Sequence, residues 1–189
     1  MTTAESALLL SVHWRAVWIT GELLDVSDLR ENLARPVGRR RTVERYAVVM
    51  LKKILAPTDF SELSGEGVRY ACLLANEVGA QVIVLNVVFL DETNTVGKGE
   101  IEAHKERLTD FVAKSVPHHG ADVKLREVVV AGQPYSAIVD CAENEHIDLV
   151  VMSSHGRSGL SRMLIGSVTD RLLRAAKCPV MVVPSLGKH

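Results

Sequence analysis

The chain of 189 residues is poor in aromatics, in cysteine and in net charge. Aromatic residues make up 4%, so any core must be aliphatic. The three cysteines, Cys72, Cys141 and Cys178, are too few and too scattered for a disulfide scaffold or a Cys-x-x-Cys zinc site. They read as buried thiols in a reducing cytosol. Lys+Arg is 22 and Asp+Glu is 23, giving a formal net charge of -1. A dedicated nucleic-acid binder would show a basic excess, so no nucleic-acid partner is expected. No run approaches the roughly 18 apolar residues that a spanning helix needs. Ala7 to Thr20 is broken by His13 and Arg15 and follows no basic region, so neither a signal peptide nor a membrane partner is expected. Also absent are a Gly-Lys-Ser/Thr phosphate loop and a Gly-x-Ser-x-Gly nucleophile elbow.

What is present is an ordinary globular composition, 47% apolar and 24% charged, with a break near residue 50. Residues 1–49 hold seven Arg and no Lys, whereas residues 50–189 hold eight Lys and seven Arg. The front segment offers one helix, from Glu22 to Leu33, and a short basic run, Arg39 to Arg41. It reads as a poorly ordered extension. A sharper version makes Met50 the start, with residues 1–49 an upstream over-read. The domain proper is expected over residues 50–185.

From Lys53 onward, apolar runs alternate with helical spacing. Ile54 to Pro57, Val82 to Leu90, Val123 to Ala131, Ile147 to Met152 and Val180 to Val183 read as five strands. Helices are expected from Ser61 to Glu77, from about Ile101 to Ser115, from Pro134, and from about Ser167 to Ala176. Strands apolar at every position are buried on both faces, as in a parallel sheet covered by helices. The expected fold is a single open, doubly wound α/β sheet of five parallel strands. Ligands of such sheets bind beyond the strands' carboxyl ends, where strand order reverses.

The residues after the strands are therefore the candidates. Pro57, Thr58, Asp59, Phe60 and Ser61 follow the first strand. Asp59 is either a turn or N-cap residue or an acceptor for ribose hydroxyls. After the fourth strand, Ser153-Ser154-His155-Gly156-Arg157-Ser158-Gly159 opens a loop of over a dozen residues that leads to Gly166-Ser167 at a helix start. Glycines let backbone N–H groups approach an anion, and a helix N-terminus favours phosphate. Gly166-Ser167 can equally be only a helix cap, with Ser167 capping and Asp170 completing a capping box. A Ser-His-Asp site from Ser154, His155 and Asp59 lacks a fixed geometry. Adjacent His118 and His119 cannot share one helix face as metal ligands, so no metal site is expected.

These segments resemble the universal stress protein family. Its signature is Gly-x-x-Gly, nine residues, then Gly-Ser or Gly-Thr; here it reads Ser153-Ser-His-Gly156, nine residues, then Gly166-Ser167. Pro57-Thr58-Asp59-Phe60-Ser61 resembles the first-strand motif, and Lys177-Cys178-Pro179-Val180 the lead-in to the last strand. The resemblance implies a Rossmann-like fold that binds ATP, with or without Mg²⁺. It implies that Asp59 holds the ribose, that Pro57 and Thr58 border the base, and that Val87 sits at the adenine. Met152 and Ser153 would lie beneath the nucleotide, and Gly156, Gly166, Ser167 and Val168 would hold the phosphates. The one departure, Ser153 in place of the first glycine, matters only where positive φ is required. The implied role is nucleotide-dependent regulation in stress response, through a protein partner. A slow ATP hydrolase and a dimeric interaction protein without nucleotide are the alternatives. A homodimer is expected through the last strand, whose apolar edge is an open pairing template, with the front segment as the rival cover.

Overall fold

The structure, a computed structural model, describes residues 17–19, 22–24, 51–90, 95–97, 99–116, 123–154 and 165–184. Two short strands, β1 (Val17–Ile19) and β2 (Glu22–Leu24), form an antiparallel hairpin with Trp18 opposite Leu23. Residues 22–24 thus open no helix, contrary to the local reading. A two-residue connection containing Gly21 suits a hairpin, and pairing overrode a weak helical pattern. The remainder of that expected helix lies outside the described residues.

The chain then alternates strand and helix: β3 (Lys53–Thr58), α1 (Glu62–Val78), β4 (Gln81–Phe89), α2 (Glu100–Ser115), β5 (Lys124–Gly132), α3 (Pro134–Asn144), β6 (Leu149–Ser153), α4 (Ser167–Ala175) and β7 (Val180–Val183). The strands form one parallel sheet in the order β5-β4-β3-β6-β7. Alternate residues face opposite layers. Ile54, Ala56, Val82, Val84 and Val151 pack under α1 and α2, against Val68, Ala71, Cys72, Leu108 and Val112. Leu55, Ile83, Leu85, Val150 and Met152 pack under α3 and α4, against Ile138 and Leu172. This is the doubly wound arrangement that the runs of buried aliphatics imply. One strand departs from the pattern: β5, at an edge, carries exposed Lys124, Arg126 and Glu127 rather than a continuous apolar run. At the other edge, the backbone of β1 runs beside β7.

Strand order reverses between β3 and β6. Their pairing ends at Leu55↔Val150, whereas β3 pairs with β4 as far as Thr58↔Asn86. Ala56–Thr58 and Val151–Ser153 therefore have no mutual ladder, and Pro57, which has no N–H to donate, lies in this stretch. At the opposite end the two strands are pinned: Asp148 Oδ2 accepts from the backbone N–H of Lys52 and of Lys53, at 2.8 and 2.9 Å.

α1 crosses close over β6. A Cβ built on Gly67 would lie 3.2 Å from Ser153 N and 3.4 Å from Met152 Cα, so a larger residue here would push the helix off the strand. No described helix is long and apolar enough to cross a membrane.

Candidate functional site

Beyond the splayed ends of β3 and β6 lies a crevice of about 350 Å³. Pro57, Thr58 and Asp59 form one wall, Val87 the back, Met152 and Ser153 the floor, and Gly166, Ser167 and Val168 the opposite wall. Nine of the ten residues singled out in the sequence thus meet in one cavity. The tenth, Gly156, lies outside the described residues, as do His118, His119 and His155. Ser64, Leu85, Pro134, Ile138 and Thr169 also line the cavity and were not anticipated. Strand alternation would have found Leu85, which shares a strand face with Val87.

The buried polar residues among those described are Thr58, Ser64, Asn86, Ser153 and Thr169. All lie at this end of the sheet, and four of them line the crevice. Buried hydroxyls need partners, and these have them. Thr58 Oγ1 and Ser64 Oγ are 2.8 Å apart. Ser64 Oγ donates to the Ser61 carbonyl at 2.9 Å, and Thr58 Oγ1 accepts from Phe60 N–H at 3.0 Å. The N-cap of α1 is Ser61, whose hydroxyl accepts from Ser64 N–H at 3.1 Å. Asp59 is therefore not the cap. Its Oδ1 accepts from Ser61 N–H at 3.0 Å in a local turn that holds the carboxylate on the crevice wall.

The start of α4 is built differently. Its N-cap is Gly166, which has no side chain to accept a hydrogen bond. Ser167 is thus the first helical residue and not the cap. Gly166 N–H donates to the Ser154 carbonyl at 2.8 Å, and the Gly166 carbonyl accepts from Asp170 N–H at 2.8 Å. These two bonds set the helix start one residue earlier than serine's capping preference suggests. Asp170 completes no capping box; its carboxylate turns to Arg174, 2.9 Å away. Gly166 has φ -58 and ψ 145, a conformation open to any residue, so its value to the site is the absence of a side chain.

Ser153 belongs to β6 and pairs with Val183. Among the described non-glycine residues only Phe60 and His146 have positive φ. The serine therefore adopts strand geometry without conformational penalty. Its carbonyl accepts from Thr169 Oγ1 at 3.1 Å, which ties the floor to α4.

Burial pushes the Cys72 thiol up to about 11 and raises Cys141 and Cys178 as well, which keeps them protonated near neutrality. Cys72 is buried, but Cys141 and Cys178 are only partly so, contrary to the expectation of three buried thiols. Among the described residues no group of three His, Cys, Asp or Glu side chains could hold a metal ion. Asp59 is the one titratable side chain among the described lining residues.

Comparison with known proteins accords with this geometry. Residues 50–184 match the family model described as the universal stress protein family. Universal stress protein MJ0531 of Methanocaldococcus jannaschii is 37% identical over 150 residues, which cover 74% of this chain and 86% of that protein. The solved structure of MJ0577, from the same organism, is 29% identical with a TM-score of 0.62, over 74% of this chain and 99% of that one. A universal stress protein from Archaeoglobus fulgidus, solved in complex with dAMP, shares the fold at 21% identity and a TM-score of 0.55, over 70% of this chain and 98% of that one. A family match spanning the whole five-stranded sheet, on a chain whose crevice is lined by the signature residues Ser153, Gly166 and Ser167 among others, means that this chain belongs to the universal stress protein family.

Proposed function

We propose that the protein binds ATP in the crevice between Asp59 and the start of α4, and that it acts by nucleotide-dependent binding rather than turnover. The observation that carries this is the start of α4: a helix N-terminus without a side-chain cap, opening into a cavity of ligand size. The N–H groups of Ser167 and Val168 fall in the first turn, where the helix itself supplies no acceptor, and the macrodipole favours an anion there. Gly166 leaves room for a phosphate to approach. Asp59 would accept from the ribose hydroxyls. The base would lie against Val87, where β4 runs past the end of its pairing with β3 while still paired with β5 to Phe89↔Gly132. That open side of β4 offers backbone donors and acceptors to a purine edge. The dAMP-bound relative adds that the family's fold takes adenine nucleotides.

Magnesium belongs to the proposal as the nucleotide's counter-ion. Gly156 belongs to it by the family signature. The functional unit is residues 50–185, the front segment being an extension to it, and the cytoplasm is its proposed location. Hydrolysis is the weaker reading, because the described lining residues offer one carboxylate, Asp59, which the ribose would engage. A second copy is proposed to pair along β7, whose Met181 and Val182 are half-buried at the sheet edge. The hairpin beside β7 is the rival cover, and light scattering on the full chain separates the two: a monomer at micromolar concentration refutes the dimer.

Calorimetry with ATP tests the main reading. Saturable heat with one site per chain is the expected result, and absence of binding at millimolar ATP overturns it. Ser153→Gly should leave affinity within about twofold, because the serine already has strand geometry, and should cost ~0.5–1 kcal/mol of stability through backbone entropy.

A further inference from the structure

We propose that His104, on α2 and outside the crevice, is a positioning residue for the Pro57–Asp59 wall, acting through Asn86 and Phe60. The inference rests on the nucleotide reading for its effect on affinity, but not for its structural content.

Asn86 lies on β4 and is 2% exposed. Its Nδ2 donates to the Thr58 carbonyl at 2.9 Å, and its Oδ1 lies 2.7 Å from His104 Nδ1. An amide oxygen only accepts, so His104 Nδ1 carries the proton. The donor of His104 thus fixes which way the Asn86 amide points, and the amide fixes the carbonyl of a wall residue. Neither Asn86 nor His104 lines the cavity.

The second path runs through Phe60, on the other side of Asp59. Phe60 has φ 65, a left-handed conformation unusual for an aromatic residue. It persists because its surroundings hold it. Its N–H donates to Thr58 Oγ1 at 3.0 Å. Its ring packs against His104 with centroids 5.6 Å apart, meets Phe111 edge-on at 5.6 Å, and lies 4.4 Å from the Arg107 guanidinium. Three of these partners come from α2. Both chain neighbours of Asp59 are therefore braced from a helix that does not touch the site, and His104 contributes to both braces.

The test is made in two arms on the full chain. In the ligand-free protein, hydrogen exchange over residues 57–62 should rise about tenfold in His104→Ala, since a braced turn would open locally. It should rise less in His104→Asn, which sets an amide nitrogen near the lost Nδ1 position but gives up the ring contact with Phe60. In calorimetry, His104→Ala should weaken ATP and adenosine by the same factor, roughly tenfold, because the loss falls on the base and ribose wall. Unchanged exchange in His104→Ala overturns the proposal. So does a loss confined to ATP with adenosine binding intact, and so does equal damage from the asparagine variant. Should the alanine variant not fold, His104→Phe keeps a ring against Phe60 and removes only the donor; it should still raise exchange over residues 57–62 above the wild-type level, by less than tenfold, and weaken ATP and adenosine by one common factor. If the wild type binds neither compound, the nucleotide reading falls and the exchange arm alone decides the positioning role.

Discussion

Three helices begin at the crevice, α1, α3 and α4, and the first and last begin in opposite ways. α1 starts behind Ser61, whose hydroxyl takes the Ser64 N–H, within a closed set of hydroxyl and backbone bonds. α4 starts behind Gly166, with no side chain to satisfy its first turn. The helix dipole is of one kind in both. What differs is whether the chain supplies its own acceptor. A self-capped start is stability; an uncapped start opening on a cavity is binding capacity. Substitutions at the two should therefore separate into opposite phenotypes.

The largest effect is expected at the open start. Gly166→Val should lower ATP affinity by about two decades, ~3 kcal/mol, by crowding the phosphate and denying it charged hydrogen bonds. The melting temperature should hold, since φ at Gly166 suits valine. A parallel fall in melting temperature would break the contrast. Asp59→Ala should come next, losing ~1–3 kcal/mol of ATP binding, about one to two decades by calorimetry. At the closed start, Ser61→Ala should cost about 1 kcal/mol of stability, roughly 2–4 °C in a thermal melt, with ATP affinity nearly unchanged.

The smallest effect is on pH dependence. A hydrogen bond and the charge of Arg174 hold the Asp170 carboxyl below its usual range. Its folded pKa is thus lower than its unfolded one. The pair's support for α4 is present above the ordinary aspartate range and is lost as pH falls through the lower folded value. The Ser61 hydroxyl cap does not titrate there. Amide exchange followed down an acid series should show the first turn of α4 loosening before that of α1, and Asp170→Asn should erase the difference in pH response. The group is exposed, so the effect is slight.

The same pair of helix starts marks how far the sequence could be read. Hydrophobic period fixed the strands from Ile54, Val82, Ile147 and Val180, because burial on both faces leaves a continuous apolar run. It also pointed to the strand ends, where topology puts ligands, while Val87 and Met152 were added by the family resemblance. Local rules failed where a distant partner decided. Ser167 looks like a cap by composition, but the Ser154 carbonyl takes Gly166 N–H and shifts the start. Asp59 looks like a cap until Ser61 is seen to do that work. The Asn86–His104 contact joins residues 18 apart whose polarity carries no motif. β5 broke the apolar pattern because an edge strand is covered on fewer sides than a central one.

The two bonds at the base of the signature loop, Gly166 N–H to Ser154 and Thr169 Oγ1 to Ser153, also have a consequence for design. They clasp the loop's two ends together independently of what lies between. Sequence spliced between residues 155 and 165 would then hang from a closed clasp. Doubling its length should cost only about 0.6 kcal/mol in loop entropy. An insertion that keeps Gly156 and these two bonds in place could therefore carry a reporter or a binding peptide without moving α4.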